Sequence, residues 1–150
     1  MNIYQSIEQD HHIQRQLADQ LLETSGDSQR RRELFNQLKN ELAAHADAEE
    51  RYFYVPLIKI DATQDHARHG IAEHHELDEL VEQLEQTDPS SPAWLKYAKD
   101  LAHKVKHHLA EEEQDYFPVV KDILSDEKAE TLGDEYLAAM LKHRQTVKAA

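Results

Sequence analysis

The chain matches itself without a gap when shifted by 63 residues. His11 falls on His74, His12 on His75, Leu17 on Leu80, Leu21 on Leu84 and Thr24 on Thr87. Further along, Leu38 falls on Leu101, Leu42 on Val105, His45 on His108, Glu49 on Glu112 and Glu50 on Glu113. Any two amphipathic helices share leucines at helical spacing, but several His and Glu matches at one unbroken offset need a true repeat. Such a repeat means two copies of one supersecondary unit, each burying its apolar face against the other. The halves run over about 3–60 and 66–123.

Each half reads as a helical hairpin. Ile3, Ile7, Leu17, Leu21 and Leu22 give an apolar stripe up to Thr24. Ser25-Gly26-Asp27-Ser28 then supplies turn residues and an N-cap for a second helix over about 29–58. In the other half Ala67, Ile71, His74, Leu77, Val81 and Leu84 line one face, and Asp88-Pro89-Ser90-Ser91-Pro92 breaks that helix. Ser91 and Pro92 fit the N-cap and first position of the next one. Short turns within each hairpin imply antiparallel pairs. The expected fold is all-α: an up-down-up-down four-helix bundle with approximate twofold symmetry over about 3–123. A fifth helix over about 126–142, behind Ser125, falls outside the repeat, and the whole of 1–150 reads as one domain. Only 3 Gly and 4 Pro agree with long helices.

The chemistry lies in the repeated histidines, drawn from 11 in all. Leu38, Leu42, His45, Glu49 and Tyr52 recur at steps of three and four, as do Leu101, Val105, His108, Glu112 and Asp115. His45 and Glu49 therefore share a helix face, and so do His108 and Glu112. His74 lies on the apolar stripe of the third helix, and His11 is its counterpart on the first. Carboxylates inside an apolar bundle are strongly disfavoured unless paired or metal-bound. A pair of divalent ions removes that cost, and imidazole with carboxylate suits Fe, Mn or Zn. The repeat gives each ion two His, with Glu49 and Glu112 bridging. Two octahedral ions offer about twelve positions. Four His, two bridging carboxylates and one bridging oxygen (oxo or hydroxo) leave about two for water or a small ligand.

These residues resemble the hemerythrin-like HHE cation-binding family. The features that carry the resemblance are Asp10-His11, His45-Ala-Asp-Ala-Glu49-Glu50, Glu73-His74, and His107-His108-Leu-Ala-Glu111-Glu112-Glu113 followed by Phe117-Pro118. The resemblance covers about 4–123. It implies two non-heme iron ions held by His11, His45, Glu49, His74, His108 and Glu112, with Zn or Mn as substitutes. It also implies a protein that binds O2, NO or peroxide in sensing, storage or detoxification. The alternatives are a di-metal peroxidase or oxidase, and a zinc-structured or metal-free helical module acting through a protein partner. The chain departs from the invertebrate oxygen carriers at Asp78, where they have a second His four residues after the third-helix His. That departure weakens reversible O2 carriage and makes Asp78 a further candidate ligand.

Several neighbours compete with this assignment. His107 with Glu111 repeats the spacing of His108 with Glu112, one residue earlier, but only the latter pair matches the second helix at the common offset. His12, His75 and His107 are turned about 100° from the proposed ligands, and His66, His69, His103 and His143 are expected at the surface. Glu50, Glu111 and Glu113 are expected on the solvated face, with one of them free to support a ligand. Asp10 and Glu73 are candidates to accept the second ring N–H of a ligand histidine. Tyr52, Tyr54, Tyr116, Phe117 and Trp94 are read as packing residues.

A net charge of −13, from 30 acidic and 17 basic side chains, argues against nucleic acid and anionic membranes as partners. The absence of Cys excludes thiolate sites and disulfides and fits a cytoplasmic location. No signal-peptide pattern opens the chain, and no apolar run reaches the roughly 20 residues a membrane span needs.

Overall fold

The computed structural model describes residues 1–149 and is all-helical over them. Helix α1 is Ile3–Leu22, started by a capping box in which Asn2 and Gln5 satisfy each other's backbone N–H groups. The loop to α2 turns at Gly26, whose φ of 61° lies in the left-handed region. Helix α2 covers 29–58, with Ser28 accepting from the Arg31 N–H as its N-cap. Helix α3 is Gln64–Glu85, and α4 covers 92–121 behind the Ser91 cap and Pro92. Helix α5 is Asp126–Ala149.

Both α2 and α4 widen into one π turn, at Glu50–Tyr54 and Glu112–Tyr116, before resuming as α-helix. The cause is Pro56 and Pro118, each the second residue past its π turn. A proline has no N–H and crowds the carbonyl four residues back. Bonding one residue further back, Val55 to Glu50 and Phe117 to Glu112, accommodates it. The π turns change which residues face inward. The stripe expected to continue through Tyr52 and Asp115 runs instead through buried Phe53 and Tyr54, and through buried Tyr116 and Phe117. Tyr52 is partly exposed and Asp115 exposed.

Helix α1 packs on α2 and α4, α3 packs on α4, and α5 lies across α1 and α2. Helix α5 extends to residue 149, beyond the expected end near 142. Lys142 and His143 look like the basic last turn of a helix, but Arg144 carries the helix onward by forking onto Glu41 and reaching Asp10. Its apolar face, through Ala129, Leu132, Tyr136 and Met140, packs into the same core as Ile3, Ile7, Phe53 and Phe117. A second apolar cluster holds Leu17, Leu38, Leu77, Trp94, Leu101 and Val105. Each helix of the repeat passes from one cluster to the other. The proposed ligand histidines fall at the crossing points, between Ile7 and Leu17 on α1 and between Ala67 and Leu77 on α3. Trp94 anchors the second cluster, with the Arg31 guanidinium 4.4 Å above its ring.

Candidate metal centre

His11, His45, His74, His108, Glu49 and Glu112 meet between the two apolar clusters, and none is more than 4% exposed. Their ligand atoms form two overlapping groups, one of His11 and His45 and one of His74 and His108, each with both Glu49 and Glu112. Each group draws its two histidines from one half of the repeat. His11 Nε2 lies 3.0 Å from Glu112, and His74 Nε2 lies 3.0 Å from Glu49. His45 Nε2 is 3.3 Å from Glu49, and His108 Nε2 is 3.5 Å from Glu112.

All four Nε2 atoms, both Glu49 oxygens and one Glu112 oxygen are buried without a hydrogen-bond partner. Buried polar groups are normally satisfied, so this concentration of orphans in one place fits a site for a cation. The other ring nitrogen of each histidine is bound. His11 Nδ1 donates to Glu113 at 2.8 Å, His74 to Glu50 at 3.2 Å and His108 to Glu73 at 2.8 Å. His45 Nδ1 donates to the Tyr136 hydroxyl at 2.5 Å, and that hydroxyl donates to Asp10. With Nδ1 donating outward, each Nε2 is turned inward, where a metal ion would take the place of its proton. The donor set and its tautomers therefore fit a metal pair.

The outer groups follow the repeat, with informative breaks. Glu113 and Glu50 are counterparts, but Arg15 forks onto Glu113, whereas the counterpart of Arg15 is Asp78, which cannot do the same for Glu50. Both glutamates stay partly exposed, yet each holds one of the proposed ligand histidines. Asp10 and Glu73 act across the bundle rather than on the histidines beside them. Tyr54 is more than packing: its hydroxyl donates to Glu112. Its counterpart Phe117 has no such group, and instead stacks beside His11 at 6.4 Å. Tyr54 reaches inward because Gly70 stands where the first half has Ile7; a Cβ there would sit 2.3 Å from the Tyr54 ring.

Electrostatics agree with an anionic pocket that calls for positive charge. Burial alone would lower the pKa of His11 and His74, but their carboxylate partners outweigh it and raise both to about 9. Burial would raise Glu49, yet the surrounding histidines hold it well below the usual carboxylate range. Glu73 is likewise drawn down to about 2, chiefly by His108. Burial and the neighbouring carboxylates raise Tyr54 and Tyr136, so both keep their protons.

The rival residues stand apart. His12, His75 and His107 are exposed. Glu111 pairs with His69 and His107 and accepts from Tyr116. Asp78 is exposed, at the rim of a small cavity beside His45, His74 and His108. The sequence reading missed Tyr136 and Arg144 because α5 lies outside the repeat and has no counterpart to compare. It missed the role of Tyr54 although Gly70 opposite Ile7, a glycine inside a helix, was a visible signal.

Comparison with known proteins agrees with this geometry. Residues 2–120 match the model of the hemerythrin HHE cation binding domain. The chain is 32% identical over 145 residues to a protein of Nostoc sp. named DNA nickase, covering 97% of this chain but only 41% of that relative. A crystal structure of a hemerythrin HHE cation binding domain-containing protein from Mycobacterium kansasii superposes with a TM-score of 0.87 at 25% identity, over 97% of this chain and 89% of the other. No helix among the described residues is long and apolar enough to cross a membrane. With a family match over most of its length and a buried His/Glu cluster able to hold metal, the chain belongs to the hemerythrin HHE cation-binding domain family.

Proposed function

We propose that the chain is a non-heme di-iron protein whose up-down-up-down four-helix bundle, buttressed by α5, receives O2, NO or peroxide for sensing, storage or detoxification. His11 and His45 would hold one ion and His74 and His108 the other, with Glu49 and Glu112 shared between them. Bound there, iron would supply a reducible centre with a coordination position left for a small ligand. The observation that supports this most directly is the set of orphaned Nε2 and carboxylate atoms turned toward one another.

The chain's own part is to orient and insulate. Glu113, Glu50, Glu73 and the Tyr136–Asp10 pair hold each imidazole with Nε2 inward. The apolar clusters on either side keep bulk water away, which strengthens the site's electrostatics. Tyr54 fixes Glu112. The name of the Nostoc relative points to DNA cleavage, but a chain with 30 acidic and 17 basic side chains is poorly suited to phosphate backbones. We therefore take a small ligand, in the cytoplasm, as the partner.

Iron reconstitution of the chelated protein tests the reading. Wild type takes up about two irons per chain, and His45→Ala and His108→Ala each lose metal. Unchanged metal content in both variants would refute it.

A further inference from the structure

A small cavity opens between His45, His74 and His108, closed by Leu42, Leu77 and Gln14. Its volume of about 10 Å³ is at the threshold for one water-sized group, about 10–15 Å³, so it can take the far atom of a ligand whose near atom faces the metals. Three of the four site imidazoles border it, so a small molecule entering here lies against the proposed metal pair.

Gln14 is the one polar side chain in that buried wall apart from the histidines. It is 1% exposed, and its Nε2 has no hydrogen-bond partner. A buried amide donor left unpaired is costly, and a core of this kind accepts a leucine readily. The repeat supplies the comparison. The counterpart of Gln14 is Leu77, which lines the same cavity from α3. Of two equivalent positions around one space, one is apolar and the other carries an amide whose Nε2 has no partner in the protein.

We propose that the Gln14 carboxamide donates a hydrogen bond from Nε2 to the exogenous ligand in this cavity. It thereby favours ligands that bear a negative charge or an accessible lone pair beyond the atom facing the metals. This rests on the reading that the site holds metal with an open position, and it goes further by naming the group that selects among ligands. Leu42 and Leu77 exclude bulk, so selection works on size first and on the far atom second. An anion such as azide, or a peroxide, gains from Gln14, whereas a neutral diatomic with a weakly basic far atom gains little.

Iron-loaded wild type, Gln14→Leu and Gln14→Met are compared, using azide titrated by visible absorption as the probe and nitric oxide as the neutral control. Gln14→Leu restores the repeat, and Gln14→Met keeps the length of the side chain without its amide. The expected result is unchanged iron content, azide bound roughly tenfold to a hundredfold more weakly in both variants, and nitric oxide affinity nearly unaltered. The infrared stretching band of bound azide should also shift when the donor is removed. Equal azide affinity and an unmoved band in iron-loaded variants would overturn the role of Gln14 while leaving the open position intact. Loss of iron in both variants would overturn it too, by making Gln14 structural. Wild type that holds two irons yet binds neither azide nor nitric oxide would overturn the open position, and the proposal with it.

Discussion

Glu73 accepts the Nδ1 proton of His108 directly at 2.8 Å, while its repeat counterpart Asp10 reaches His45 only through the Tyr136 hydroxyl. Aspartate is one methylene shorter than glutamate, and the gap is filled by a side chain from α5. The last helix is thus tied to one half of the site and not the other. Arg144 reinforces the tie by binding Asp10 at 2.7 Å.

That asymmetry makes the His11/His45 half the one that depends on α5. Tyr136→Phe leaves His45 Nδ1 without its acceptor and leaves Asp10 only its bond from Arg144. Loss of such a support typically lowers metal affinity about 10–100-fold. Competition with a chelator should release one iron well before the second in the variant, whereas Glu73→Gln should weaken the other half. Simultaneous loss of both irons in Tyr136→Phe would count against this division.

Gly70→Ala should disturb the site without touching a proposed ligand. The new Cβ would lie 2.3 Å from the Tyr54 ring, so the phenol must move and its bond to Glu112 breaks. Overpacking of this kind costs about 1–3 kcal/mol. Denaturant unfolding should show that loss, and the visible spectrum of the iron form should change with it. Tyr54→Phe should reproduce the spectral change with a smaller stability cost, since Gly70 still accommodates the ring.

The metal-free protein should have an unusual pH profile. His11 and His74 are raised to about 9, so their stabilising contribution is fully present below about 6.5 and lost as pH rises through 9. Glu49 is lowered, so its contribution is present above about 4.5 and lost as pH falls further. Thermal unfolding of chelator-treated protein should give its highest Tm between about pH 4.5 and 6.5, then decline toward pH 9.5. Iron loading replaces protons on these imidazoles and should abolish the decline at high pH. A metal-free Tm that rises from pH 6.5 to 9.5 would contradict the ion-paired cluster.

The four helices of the bundle, the caps at Ser28 and Ser91, and a shared inward face for His11, His45, His74, His108, Glu49 and Glu112 were legible from the repeat, because one offset aligned both pattern and chemistry; the helix behind Ser125 was read from its own cap and pattern. What escaped was whatever a helical period of three and four does not encode. Pro56 and Pro118 insert π turns that rotate Tyr52 and Asp115 out of the expected stripe. Glu50 and Glu113 looked like members of acidic runs, and only the packed bundle shows them reaching His74 and His11. Tyr136 acts across 91 residues of sequence on His45, a contact that no local periodicity encodes.

The central claim, a reducible metal pair open to small ligands, is tested most directly by metal content together with the visible spectrum through one redox cycle. The account predicts about two irons per chain, with near-ultraviolet bands of an oxygen-bridged pair that bleach on anaerobic reduction and return with air. Protein from iron-replete cells that carries zinc or no metal, and refuses iron on reconstitution, would contradict it.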